Sequence, residues 1–583
     1  MSNNPGSARE QFEQEANQLK QIIYQFIEAG QIIMAAQVLD QYAILNPADP
    51  DLDDLRGMLY PDGNVLHEDK IPDDYKILNN IETIFILSGI ITKRTGYIDS
   101  VLRKIKLMEE NWNYKPILMT CIHNIDQRQA QTWLGTAGIG QVTLSAETRV
   151  LNVYEYFQKS YAEGLENKAI YSDNDIDDTP DDNYEIKKSY TGYMGSLRTV
   201  RYFDKNGNPV KDMVYDDWGY LNNIREYSPL SEDIFDVKYY TTDGKLCIEA
   251  LFRPTKDGIE HEKIFLYDEN EKLIFECSSS AELAAYCLNQ IIKDDKFYML
   301  VIEDGLMSEA VTKIDKSKKN VAKCIVVHSI FLNDAYDSKS GPQKFYKYLC
   351  ENQKEFDGIF MLTKEAATDF DRLYGGEEKL FISPHPYPHL ISKTAFNNRD
   401  PMKAAVVARL DPLKRLDLTV ELFALVAIEL PDAKLEIYGR GPEEENLRNQ
   451  VKRLGMEDNI FLKGYTDEPL AAFNTAVLSI VTSAAEGYGL TLMESICNGC
   501  PPFAFDIKYG PSEIIADGET GFLFPRFDIA EFAGKIVNYL KDPEMQKKMS
   551  EYCYNAASRF NTDRFLENWF KITESLYNSK GYK

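Results

Sequence analysis

An alternation constrains the fold most. Between residues 403 and 525 the segments KAAVVARL, KLEIYGRG, NIFLKGYT, VLSIVTS and PPFAFD are short and apolar, and helical-period stretches separate them. Such runs read as buried strands joined by crossover helices, the pattern of a doubly wound parallel sheet. An earlier series, ETIFILSGI, KPILMTCI, DKFYMLVIED, AKCIVVHSIF and FDGIFMLT, has the same character, and a proline-rich stretch, SPHPYPHLI, closes it. The fold class expected is therefore α/β, with two doubly wound Rossmann-like domains facing a cleft, a natural place for a nucleotide-linked ligand. A chain of 583 residues suits three or four domains rather than one.

The period changes between 190 and 276. SLRTVRYFDKNGNPVKDMVY, DVKYYTTDGKLCIEALF and EKIFLYDENEKLIFEC alternate in polarity, with Asn-Gly, Asp-Gly and Glu-Asn at their turns. These are hairpins of an antiparallel sheet. The first Rossmann-like domain is accordingly placed at 77–397, interrupted by a β insertion at 187–277. The second occupies 398–562, and a C-terminal helix in 563–583 packs back toward the first half. Residues 8–59 read as helices with tetratricopeptide-like spacing, giving a helical unit at 1–70. One such unit cannot bury both faces, so it should dock on the rest of the chain or on a partner. The exposed edge of the β insertion offers a second surface for self-association or a partner subunit.

Charge and cysteine usage narrow the function. A net charge of −27 argues against broad nucleic-acid binding, while leaving room for a local basic pocket that takes one phosphate group. Nine cysteines, odd in number and irregularly spaced, fit reduced thiols in a cytoplasmic protein. Cys497 and Cys500 form a CxxC with no second pair, and core thiols are the better reading than a zinc site. No run reaches the roughly 18 apolar residues of a spanning helix, and the first twenty residues lack a secretory pattern. The expected location is cytoplasmic, with the inner face of the membrane as the alternative. Asp173, Asp175 and Asp177 imitate the start of a calcium loop, but Asp178 replaces its glycine and Tyr184 its bidentate glutamate, so no metal is expected.

Two motifs carry chemistry. VARLDPLKRLD puts Arg409 and Lys414 in the turn after a strand, where both can reach a diphosphate. SAAEGYGLTLME follows the strand VLSIVTS. Gly487 and Gly489 allow close backbone approach to a ligand, and the N–H groups of the following helix face an anion. Glu486 stands before that helix and Glu494 about one turn inside it. Eight helical rises come to ~12 Å, too far for the ~5–9 Å carboxylate pair of a glycosidase, so the two glutamates should do separate jobs along an extended ligand.

Together the E-x7-E motif, the preceding RL…K and the following GPSEIIADGETGFLFP resemble the retaining glycosyltransferases of sequence family 4, which have the GT-B fold. RVLNVYEYFQ, the hairpin insertion, VVHS and FDIKYGPSE are similar to one bacterial branch, the wall teichoic acid α-glycosyltransferases and the N-acetylglucosaminyltransferase of serine-rich adhesins. The resemblance implies a UDP-sugar donor and metal-independent chemistry with no cofactor. Arg409 and Lys414 would hold the diphosphate, Glu494 the ribose hydroxyls, and Glu486 the transferred sugar. The backbone of Gly487, Tyr488, Gly489, Leu490 and Thr491 would surround sugar and phosphates. Gly464 and Tyr465 would frame the uracil, and His328 would face the sugar. Gly96, preceded by Thr95 where the family often has a second glycine, would line the phosphate or acceptor side. The implied reaction is N-acetylglucosamine transfer to serine or threonine of a protein, with transfer to wall teichoic acid and a non-catalytic acceptor-recognition subunit as alternatives.

Overall fold

The structure is a computed structural model that describes residues 71–89, 96–123, 148–158, 184–190, 197–216, 220–229, 231, 233–255, 258–387, 393–466 and 468–582, with positions 20, 23, 24 and 55. The rest of the expected helical unit at 1–70, and Asp173 to Asp178, lie outside the described residues. The chain divides into two compact units, Met1–Val321 and Ala322–Lys583.

In the first unit, four parallel strands run in the order Phe297–Ile302, Ile81–Leu87, Ile117–Thr120, Arg149–Asn152. Every residue of Ile81–Leu87 is buried, Glu82 and Thr83 included, as expected of a central strand covered on both faces. The insertion is an eight-stranded antiparallel meander from Glu185–Ser189 to Leu273–Cys277, each strand paired with its neighbour in sequence. Gly207 and Gly244 take φ of +86° and +83° in two of its turns, the left-handed backbone that Asn-Gly and Asp-Gly supply at little cost. Glu185–Ser189 starts the insertion two residues before the expected boundary at 187. It pairs with Thr199–Phe203 through five register positions.

In the second unit, a six-stranded parallel sheet has the order Ile460–Gly464, Lys434–Tyr438, Asp400–Val407, Ala476–Val481, Pro502–Phe505, Phe522–Phe524. Strand order reverses between Asp400–Val407 and Ala476–Val481. The carboxyl ends of these two strands therefore form the topological switch point, where open α/β sheets bind ligands. The three-residue strand Phe522–Phe524 was not anticipated. The unit also holds Val321–Val327 from Ala322 onward, with Gly358–Met361 and Leu380–Ile382 parallel to it. The helix Thr562–Ser579 covers these strands. Trp569 stacks on Phe360 with centroids 5.2 Å apart, and Asn568 Nδ2 donates to the Ile382 carbonyl at 3.0 Å. Cys497 and Cys500 are free buried thiols; burial raises both, Cys500 to about 11. Among the described residues no helix is long and apolar enough to cross a membrane.

Candidate active site

Lys414 and Glu486 are 72 residues apart in sequence, yet they meet because their loops leave the two strands at the switch point. After Asp400–Val407, the Asp411 carboxylate accepts the Leu413 N–H at 3.1 Å and caps a turn at Pro412–Lys414. Arg415 then adopts φ +47° and starts the helix Leu416–Glu429. The neighbouring strand ends at Val481, and the buried hydroxyl of the next residue, Thr482, donates to the Arg415 carbonyl at 2.9 Å. The Ala484 N–H donates to the Leu413 carbonyl at 2.8 Å. These bonds lace the loops together. They bring Lys414 Nζ to 2.6 Å from Glu486 Oε1, an oxygen that also accepts the Ser483 hydroxyl at 2.7 Å. The two side chains are only 18% and 12% exposed, so solvent screens the pair weakly and its geometry is fixed before any ligand arrives. Arg409 differs: its guanidinium meets Asp411 at 2.8 Å but is 71% exposed.

The glycines that follow permit a close crossing. A Cβ on Gly487 would stand 2.0 Å from the His328 carbonyl oxygen and 2.6 Å from Ser329 Cα. Only glycine lets these two backbones touch. Gly489 has φ +96° and precedes the helix Leu490–Cys497. Residues 486–489 are therefore not helical, and the count of eight helical rises between Glu486 and Glu494 does not apply. Glu494 lies in that helix, and its carbonyl accepts from the N–H and side-chain amide of Asn498. Leu490 and Thr491 form the helix's first two positions, with N–H groups left over for an anion.

His328 follows the strand Val321–Val327, and its N–H donates to the Tyr346 hydroxyl at 3.0 Å. Its ring stacks on His385, with centroids 5.3 Å apart and 9° between planes, and Tyr488 meets His385 edge-on at 5.9 Å. Burial raises the Tyr488 phenol above its ordinary pKa. Gly464 takes φ +77° and its carbonyl accepts the Gly439 N–H at 2.8 Å. Arg440 lies 3.9 Å over the half-exposed Tyr465 ring, within cation–π range. Gly96 is the first residue of the helix Gly96–Trp112 in the other unit.

Sequence reasoning missed several residues here. Gly439 and Gly441 pack their backbone against Ala408 and Leu410; an added Cβ would meet the carbonyl oxygens at 1.8 and 2.2 Å. The signal was present, a G-x-G directly after a strand. Ser483, Asp411 and His385 carried no such signal. A cavity of about 670 Å³ also opens beside Tyr488 and His385, with Lys364, Arg559 and Arg564 on its lining. Its one carboxylate, Glu513, accepts the N–H groups of Lys364 and Glu365 at 3.0 and 2.9 Å, which leaves the cavity's charged lining predominantly cationic.

Residues 390–556 match the family of glycosyl transferases group 1, the stretch that holds the switch-point loops. That stretch is similar to a glycosyltransferase family, and the fold is the GT-B fold of TarM. Among its relatives is the poly(glycerol-phosphate) alpha-glucosyltransferase of Bacillus subtilis, 25% identical over 85% of this chain and 75% of that protein. Another is the GtfA subunit of the UDP-N-acetylglucosamine–peptide N-acetylglucosaminyltransferase of Streptococcus gordonii, 27% identical over 65% of this chain and 74% of that one. The crystal structure of Staphylococcus aureus TarM superposes with a TM-score of 0.68 at 21% identity, covering 84% of this chain and 98% of TarM.

Proposed function

We propose that the chain transfers glucose or N-acetylglucosamine from a UDP-sugar, with retention of anomeric configuration, to a hydroxyl of a polyol-phosphate polymer. The observation that carries the transfer reading is the fixed Lys414–Glu486 pair at the switch point, beside a glycine-opened helix N-terminus. Breaking a sugar–phosphate bond leaves positive charge on the sugar and negative charge on the diphosphate. Lys414 and Arg409 attract the second charge, as do the helix N–H groups, and each attraction grows toward the transition state. Glu486 addresses the sugar and Glu494 the ribose. The departing phosphate oxygen takes the acceptor's proton, so the reading requires neither a separate base nor a metal.

Two observations favour the polymer over a serine- or threonine-bearing polypeptide, which sequence reasoning ranked first. The poly(glycerol-phosphate) enzyme aligns over 85% of this chain, against 65% for the peptide-modifying relative. The cavity beside Tyr488 carries three cations, which suit a phosphodiester despite the chain's overall charge of −27. The experiment is incubation with UDP-glucose or UDP-N-acetylglucosamine and, separately, poly(glycerol phosphate), poly(ribitol phosphate) and a serine-rich polypeptide, with products read by mass spectrometry. A hexose or N-acetylhexosamine increment on the polyol repeats is expected. Labelling of the polypeptide alone restores the peptide reading, and consumption of no UDP-sugar overturns the proposal.

A further inference from the structure

Glu486 is not held by its own loop alone. Its N–H donates to the Lys508 carbonyl at 2.9 Å, and its carbonyl accepts the Tyr509 N–H at 2.7 Å. These two bonds make the Lys508–Tyr509 segment a splint along the Glu486 backbone, and the splint has its own anchor. Lys508 Nζ reaches Asp369 Oδ2 at 2.5 Å, and the Tyr509 hydroxyl donates to the same oxygen at 3.0 Å. The other carboxylate oxygen of Asp369 accepts from Arg372 at 2.8 Å. Asp369 stands within the helix Lys364–Tyr374, and its side chain is only 12% exposed. Tyr509 is buried and lies parallel to Phe331, which in turn packs edge-on against Phe370 of that helix. From the other side, the Lys508 N–H donates to the Tyr336 hydroxyl at 2.7 Å.

We propose that Asp369 is a positioning residue for glycosyl transfer. It fixes Lys508 and Tyr509, which set the Glu486 backbone and thereby keep its carboxylate against Lys414. The inference rests on Glu486 serving the transfer, as proposed above. The carboxylate is suited to this work because it is rigid and charged. It receives an ammonium, a guanidinium and a phenol at once, and charge-assisted bonds of that kind are the strong ones. A neutral amide in its place keeps the shape but loses the attraction to Lys508 and Arg372. The splint is then free to shift, and displacements near 1 Å at a reacting centre lower rates by on the order of a hundredfold.

Steady-state kinetics of Asp369→Asn, Glu486→Gln and the double variant test this, with donor turnover as the readout. Asp369→Asn is expected to lower kcat at least tenfold while KM for the UDP-sugar stays within about twofold, with Asp369→Glu recovering part of the loss. In the Glu486→Gln background the same change should cost no further activity, because residues that act as a unit are non-additive. Tyr509→Phe removes one bond only and is expected to give a smaller loss in the same sense at an unchanged melting temperature, which separates positioning from unfolding. Normal kcat in Asp369→Asn and in Tyr509→Phe, beside a Glu486→Gln variant that is inactive, overturns the positioning role alone. Equal losses from Asp369→Asn in both backgrounds do the same. A Glu486→Gln variant that turns over normally instead removes the reading of Glu486 itself.

Discussion

Replacing Gly487 by alanine adds one methyl group where the structure has none to spare. The new Cβ would stand 2.0 Å from the His328 carbonyl oxygen, 2.6 Å from Ser329 Cα and 2.7 Å from the His328 carbonyl carbon. All three are backbone atoms, so no rotamer change relieves the contact. Ordinary van der Waals contact begins near 3.4 Å, and the chains must part by about 1.4 Å to reach it. Overpacking of this kind costs about 1–3 kcal/mol. The larger effect is on geometry, because Glu486 is the preceding residue and would be carried away from a Lys414 contact of 2.6 Å. A shift of that size predicts a fall in kcat on the order of a hundredfold. The assay is UDP-sugar turnover, with UDP affinity by calorimetry and melting temperature as controls. Turnover within twofold of the wild type in a folded Gly487→Ala variant would refute the reasoning.

Glu494→Ala should weaken UDP binding with less effect on turnover at saturating donor; a lost charge-assisted bond costs about 1.5–3 kcal/mol, roughly tenfold to a hundredfold in Kd by calorimetry. Gly534 sits on the exposed side of the helix Ile529–Leu540, with open space where a Cβ would go. Gly534→Ala should therefore raise stability by up to about 1 kcal/mol, read by urea unfolding. His123 is pushed down to about 3, first by burial and then by the nearby Arg225 charge. Its unfolded value is about 6.5, so the unfolded chain binds the proton first and stability is lost as pH falls from about 6.5 toward 3. The contribution is on the order of 1 kcal/mol per pH unit, and urea unfolding of His123→Gln across this range should show a shallower pH dependence than the wild type. Turnover is expected to persist in excess chelator, and strict dependence on a divalent cation would contradict the charge roles given to Lys414 and Arg409.

Much of this fold is legible in sequence because its central strands are buried on both faces. Ile81–Leu87 and Ala476–Val481 read as mostly apolar runs for that reason, broken only by Glu82, Thr83 and Ser479. The start of the insertion at Glu185 was not legible because the lysines and glutamate of Glu185–Ser189 continue the polar composition of the residues before it, while pairing with Thr199–Phe203 makes it a strand. Arg409, Lys414, Glu486 and the glycines could be singled out from residue type and position after a strand. The meeting of Lys414 with Glu486 could not, since it depends on Asp400–Val407 and Ala476–Val481 lying side by side. Asp369 was silent for the same reason: it is a helical carboxylate 139 residues from Lys508, and only the tertiary fold joins them.

The central claim is that this site transfers a sugar from UDP with retention, using Glu486. Proton NMR of the anomeric signal during transfer from a UDP-α-sugar to poly(glycerol phosphate) tests it most directly, with wild type and Glu486→Gln run side by side. The account predicts an α-linked product that accumulates with the wild type and is nearly absent with the variant. A β-linked product, or an equal yield from Glu486→Gln, would contradict it.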